Sequence, residues 1–361
     1  MLTRPLTTLA LGLSLTMAMP ASALAAAAHL SVRGQEIVDP NGQPILLRGW
    51  NWGHWGKTQA SDAADNAAQG ANTVRIPLRW WGQYDGKNID SRDDNATTTA
   101  GIDPAHLKHL DDMVHWASAA KLWIVLFIDS DCGQSGTQNE KERQYCDPRG
   151  EYAKGGHNFW TDRAARQKFI AVWRFIANRY KDTPYIGLFE PLPEPNPAGV
   201  PDDQIKAFYA EVMGAIREVA PGVPLLIGGR AYKAPAIRQV YDPAWKDVVY
   251  TGNLFLHAKQ HGADEASLNE LRERSKRLLE LRAEHQVPVF VQQVGVRSGE
   301  DPDRHGVKAV LSNLVANRIG FAYWEYRGAV NPNEYGVMYQ RGNEWVPKRD
   351  WIDTITPFFK Q

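Results

Sequence analysis

Two kinds of apolar patterning alternate along this chain. Short, nearly continuous apolar runs occur at Ile45–Trp52, Thr73–Trp80, Leu122–Ile128, Tyr185–Phe189, Pro224–Gly228, Val248–Phe255, Val287–Val291 and Gly320–Trp324. Runs of that length and composition predict strands buried on both faces. Between most of them, apolar residues recur every three or four positions, which predicts helices with one buried side. Ala60–Gly70 is such a segment, closed by a glycine. Leu107, Leu110, Val114 and Ala117 mark a second, which Asp103 can cap with Pro104 in its first turn. Phe169, Trp173, Ile176 and Tyr180 mark a third, and Asp202–Ala220, the stretch around Leu268, Leu271 and Leu278, and Gly306–Asn317 mark three more. A last helix is expected at Ile352–Phe359, and a small hairpin at His29–Pro44, turning at Asp39-Pro40-Asn41-Gly42. Eight strands alternating with helices predict a parallel sheet, and this chain length favours closure into a single (β/α)8 TIM barrel behind a short N-terminal hairpin.

The first residues follow a different rule. Arg4 precedes a short apolar run, Leu9–Met19, and small residues end it at Ala21-Ser22-Ala23 or Ala23-Leu24-Ala25. That is the layout of a secretory signal peptide, too short to span a bilayer. Residues 1–25 are therefore expected to be removed near Ala23 or Ala25, leaving 26–361 as one barrel domain, secreted or periplasmic. The 41 Lys plus Arg balance the 41 Asp plus Glu, which argues against nucleic acid or a membrane surface as partner. Nothing in the chain calls for a metal, an organic cofactor or a second copy, so a monomer without cofactor is expected. Cys132 and Cys146 are the only cysteines and lie in a polar stretch. In an oxidising compartment they predict a disulfide closing a rim loop, worth about 3 kcal/mol. The 13 tryptophans matter more, since flat apolar rings suit the C–H faces of sugars as well as protein cores.

In barrels of this kind, chemistry gathers where strands end at one face. The polar residues at those ends are Arg75 and Arg79, Asp129 and Asp131, Glu190 and Glu194, Asn253 and His257, Gln292 and Gln293, and Trp324, Glu325 and Arg327. The central stretch is Phe189-Glu190-Pro191-Leu192-Pro193-Glu194-Pro195, a strand that stops abruptly and presents carboxylates.

Four separated motifs together resemble glycoside hydrolase family 5, the cellulase-type retaining β-glycosidases. They are Ile37-Val38-Asp39-Pro40-Asn41-Gly42 through Leu47-Arg48-Gly49-Trp50-Asn51, Asn72–Leu78 with its arginine, Phe189–Pro195, and Pro288–Gly295. The resemblance implies a β-linked polysaccharide or oligosaccharide partner. It maps the family's acid/base glutamate onto Glu194 and its nucleophilic glutamate onto Gln293. It maps the sugar-binding asparagine before the acid onto Pro193. It also maps Arg75, Asp129, Asn253 and Trp324 onto substrate-binding positions, with nearby His257 leaving the register at Asn253 open, while Trp52 and Trp81 join the expected substrate contacts as rings near strand ends.

Glutamine at position 293 changes the chemistry. Retention needs two carboxyls about 5 Å apart, one attacking and one donating a proton. An amide neither attacks well nor stabilises an oxocarbenium-like state, and losing a neighbouring anion favours ionised Glu194, a poorer acid. Three readings follow. The barrel binds a polysaccharide without cleaving it, through Trp50, Trp52, Trp80, Trp81 and Trp324. Alternatively Glu194 stays the acid, and either a substitute carboxylate among Asp129, Asp131, Glu190 and Glu325 activates water in an inverting reaction or Gln293 orients a nucleophile supplied by the substrate. The third makes Glu300, seven residues past Gln293, the nucleophile.

Overall fold

The structure is a computed structural model. It describes residues 29–53, 57–79, 82–84, 87–89, 102, 104–129, 160, 163–195, 200–229, 240–256, 264–329 and 331–360. The expected signal segment, Trp80, Trp81, Asp131, Cys132, Cys146 and His257 lie outside these residues, as does the side chain of Asp129.

The eight expected strands are present and close into one barrel. They are β1 (Arg48–Asn51), β2 (Thr73–Arg79), β3 (Trp123–Asp129), β4 (Ile186–Glu190), β5 (Leu225–Gly228), β6 (Val248–Leu256), β7 (Val289–Val296) and β8 (Gly320–Tyr323). Each pairs in parallel with its neighbours in sequence, and β8 returns to β1 through Phe321 opposite Arg48. The helices outside the barrel are α1 (Ala60–Ala68), α2 (Pro104–Ala119), α3 (Arg163–Tyr180), α4 (Asp202–Val219), α5 (Glu265–His285), α6 (His305–Ala316) and α7 (Arg349–Ile355).

Alternation along each strand divides the core in two. Val74, Ile76 and Leu78 of β2 and Ile124, Leu126 and Ile128 of β3 pack outward with Leu110, Trp173, Phe208 and Leu311 of the helices. The opposite faces of the strands supply a second cluster, with Leu47, Trp123, Val125, Leu188, Leu226, Val249, Phe290 and Ala322 filling the barrel interior. Leu30 and Ile37 of the N-terminal hairpin belong to that inner cluster, so the hairpin plugs the end where the strands begin. Each large apolar side chain buried this way contributes about 1.5–3 kcal/mol.

Several elements depart from expectation. The hairpin pairs Ser31–Arg33 with Glu36–Val38 and turns at Gly34, whose φ of 58° suits a residue without Cβ. Asp39–Gly42 instead makes the following turn, bringing Pro44 back to Val38. Strand β7 continues past Val291 to Val296, so Gln292 and Gln293 lie inside it, not after it. A three-stranded sheet of Arg327–Ala329, Met338–Arg341 and Glu344–Pro347 follows β8 and was not expected. Its strands alternate too weakly between apolar and polar to stand out, and the side chains of Met338–Arg341 and Glu344–Pro347 are half-buried or exposed.

Gly49 sets the spacing between β1 and β2. A Cβ there would sit 1.9 Å from the carbonyl oxygen of Thr73, which belongs to the backbone and cannot swing aside. Gly49→Ala is expected to force the strands apart and lower stability by about 1–3 kcal/mol, read as a shift of the urea midpoint. An unchanged midpoint would show that this contact does not constrain the barrel.

Candidate active site

Arg75 projects from β2 into the barrel interior and is fully buried. Its Nε donates to Glu190 Oε2 at 2.6 Å, and its Nη1 donates to Asn51 Oδ1 at 2.9 Å. The guanidinium lies 3.4 Å from the ring centroid of Phe127. Asn51 passes the connection on, with its Nδ2 donating to the carbonyls of Gln292 at 3.0 Å and Ala322 at 2.9 Å. One arginine and one asparagine thereby tie together β1, β2, β4, β7 and β8 just beneath the rim.

Glu190 ends β4, and the chain then enters the proline-rich turn. Trp173 of α3 donates its indole N–H to the carbonyl of Pro191 at 2.8 Å. The hydroxyl of Tyr209, from α4, lies 2.8 Å from the carbonyl oxygen of Leu192 and 2.9 Å from that of Gly228. Burial, with the Glu190 charge nearby, pushes the Tyr209 hydroxyl well above its ordinary pKa, so it remains a donor. Two helices therefore hold the turn that delivers Glu194. Glu194 itself is buried and has a φ of 51°, a left-handed conformation costing an ordinary residue about 1–2 kcal/mol.

The β7 wall carries the glutamines. Asn253 of β6 is the register partner of Gln293, and the pairing shifts between Thr251 and Asn253. The pairing with β8 shifts between Val291 and Val294. A bulge of this kind re-aims side chains next to a site. The hydroxyl of Thr251 accepts from the Gln292 backbone N–H at 3.0 Å and steadies it. The side-chain oxygens of Asn253, Gln292 and Gln293 are buried and have no hydrogen-bond partner among the described residues. An unmet buried acceptor costs about 1–3 kcal/mol, so three together mark a wall prepared to receive donors.

Past β8, Trp324 is half-buried, Glu325 is buried, and the peptide bond between them is cis. Gly53 makes room for both. A Cβ there would fall 1.7 Å from Glu325 Oε2 and 3.0 Å from the Trp324 indole. Behind them Lys348 donates to Ser298 Oγ at 2.9 Å and to the Glu334 carbonyl at 2.6 Å. Burial lowers the Lys348 pKa to about 8, against the pull of Glu334 and Glu325. Arg327 is paired with buried Asp62 of α1, its Nε donating to Oδ2 at 2.9 Å. Among the described residues, no group of three or more His, Cys, Asp or Glu side chains is arranged to hold a metal ion.

The family model for cellulase, glycosyl hydrolase family 5, matches residues 38–330, most of the chain. The chain belongs to glycosyl hydrolase family 5. A probable glucan 1,3-beta-glucosidase A of Emericella nidulans is 28% identical over 179 residues, 48% of this chain and 38% of that protein. The matched region thus spans well under half the length of that relative. A crystal structure of endogalactoceramidase superposes with a TM-score of 0.68 at 18% identity, over 92% of this chain and 84% of that one. Endoglucanase Cel5A from Thermotoga maritima gives 0.62 at 18% identity, over 85% of this chain and 96% of its own. Both share the barrel fold.

Within this family 5 barrel, two expected sugar contacts are corrected. Trp52 is 1% exposed, donates its indole N–H to Asn66 Oδ1 at 2.8 Å, and packs between the barrel and α1. Trp50 is equally buried, donating to Gln69 and lying against Tyr323 and Phe359. Neither ring faces solvent. Arg75, also expected to touch substrate, is fully enclosed and acts on Glu190 and Asn51 instead. Glu190 is correspondingly engaged as a buried counter-ion and is removed as a substitute base. Glu300 pairs with Arg297 at 3.4 Å, outside the barrel strands. Trp324 alone of the described tryptophans on the expected list stays half-open at the rim. Asn51, Thr251, Tyr209 and Trp173 were not singled out. The signal that could have found Asn51 and Thr251 is their inward place in strand alternation, whereas only tertiary contacts reveal the two helical residues.

Arg75→Met leaves Glu190 buried without its cation, and a loss of about 3–5 kcal/mol is expected in urea unfolding. The double variant Arg75→Met with Glu190→Leu should recover most of it. Equal losses in both would show that the pair does not act as a unit.

Lys348 binds its proton less readily in the folded chain than in the unfolded one. From about pH 8 up to its ordinary value near 10.5, the unfolded state holds more protons and the cost of burying the charge is relieved. The natural chain should therefore gain stability relative to Lys348→Met as pH rises through that window. Parallel stability curves for the two proteins at pH 7.5, 9 and 10 would contradict this.

Proposed function

We propose that this family 5 barrel acts on or binds a β-linked polysaccharide at its rim by chemistry other than two-carboxylate retention. The observation that carries the reading is the β6–β7 wall. There Gln293 and Asn253 stand opposite each other with amide oxygens unmet among the described residues, at the position the family resemblance reserves for the nucleophile. Sugar hydroxyls are the donors such a wall accepts, and the half-open ring of Trp324 supplies an apolar face beside it. Without a carboxylate at position 293 the barrel keeps its grip and loses the attacking group.

Two outcomes remain physically distinct. Glu194 is retained and held by a turn that α3 and α4 anchor, which favours a general acid working with water activated by Asp129 or Asp131. The engagement of Glu190 by Arg75 and the packing of Glu325 against Gly53 favour a barrel that binds without turnover. We further propose export, with residues 1–25 removed. Among the described residues no helix is long and apolar enough to cross a membrane.

Reducing-end release from a panel of β-glucans, β-mannans and bacterial exopolysaccharides separates these outcomes. If the natural chain is a hydrolase, it releases ends and Glu194→Gln lowers the rate at least about 10²-fold. If it is a binder, it binds a glycan without release, and Gln293→Glu confers turnover on that glycan. No binding and no release across the panel, by the natural chain and by Gln293→Glu, would overturn the proposal.

A further inference from the structure

The end of the barrel opposite the rim holds a cavity of about 420 Å³, lined by the N-terminal hairpin and the starts of β1, β7 and β8. Among the described residues, Arg33, Arg282, Arg318 and Gln286 line it, and Glu36 is the single acidic side chain there. Glu36 is already engaged by Arg33, at 3.9 Å. Arg282 is fixed across one wall by donating Nη1 to the carbonyls of Asn317 at 3.0 Å and Arg318 at 3.3 Å. Arg48, on β1 opposite Phe321, lies close enough to Arg318 for their charges to interact. It is 3% exposed, and its Nε has no hydrogen-bond partner among the described residues.

Arg48, Arg282 and Arg318 make no ion pair among the described residues, although Arg318 lies within charge range of each of the other two. The acidities of Arg48 and Arg282 are raised first by burial and then by the charge of Arg318. Arg282 and Arg318 on the cavity wall, with the buried Arg48 behind Arg318, are like charges that are costly to gather unless a counter-charge joins them. Guanidinium forks match the paired oxygens of carboxylate and phosphate groups. We infer that this basal cavity is an anion site, taking a phosphate or carboxylate group such as the charged substituent of an acidic glycan. The site is separated from the rim by the full height of the barrel and does not depend on which chemistry the rim performs.

Arg318→Glu gives a two-sided test, because Arg318 is exposed and its replacement supplies the missing counter-charge in place. Thermal unfolding is followed in chloride, in inorganic phosphate and in tri-galacturonate, all at equal ionic strength. The natural chain is expected to gain about 2–3 °C in phosphate or in tri-galacturonate at tenfold excess over the dissociation constant. Phosphate alone identifies a small-anion site, and a response only to tri-galacturonate identifies a carboxylated glycan. Arg318→Glu should melt higher than the natural chain in chloride and respond to neither anion. No anion-specific shift in the natural chain, or an equal shift in the variant, overturns the proposal.

Discussion

A charge buried in a barrel must be answered on the spot, and Arg75 is that charge. It is fully enclosed by protein, so its hydrogen bonds to Glu190 and Asn51 are not optional. Asn51 in turn is held by carbonyls of β7 and β8. The end of β4, the bulge of β7 and the return of β8 to β1 therefore share one set of polar contacts. That is why Glu194, Gln293 and Trp324, which come from distant parts of the sequence, can all be set from one level of the barrel.

Such a centre gives stability little and geometry much. An apolar trio of the same volume could pack the interior at least as well, as exchanges of buried ion pairs for hydrophobic groups show elsewhere. What it could not do is fix the orientation of backbone carbonyls around the rim. The unmet amide oxygens of Asn253, Gln292 and Gln293 lie beside this network and remain outside it. They form a polar surface that the described residues leave unmet.

The barrel was legible because its signal is repeated. Eight apolar runs, each bounded by turns and helical periodicity, leave few other arrangements. The ends of those runs were harder. Val291-Gln292-Gln293-Val294 reads as a strand stopping at its first glutamine, because polar residues ordinarily close a buried strand. Here the bulge, Thr251 and Asn51 satisfy the backbone and let β7 run on to Val296. The tryptophans misled for a related reason. Trp50 and Trp52 sit at a strand end, where a ring can face sugar or helix with the same local pattern, and only Gln69 and Asn66 on the helical side decide it. The basal arginines gave no pattern at all, since Arg318 comes near Arg48 and Arg282 only after the chain has closed.

That closure has a consequence for how the molecule comes into being. The bond from Asn51 to the carbonyl of Ala322 joins residues 271 positions apart. Until β8 exists, Arg75 has a site with one side missing, and the inner layer lacks the ring contact that shuts out solvent. The cost of bringing such distant segments together rises only slowly with length, but nothing repays it before the last strand arrives. A growing chain can therefore form helices and local strand pairs early, yet it reaches its finished interior only once β8 has been made. Until then its buried charge remains the strongest reason for the chain to stay open.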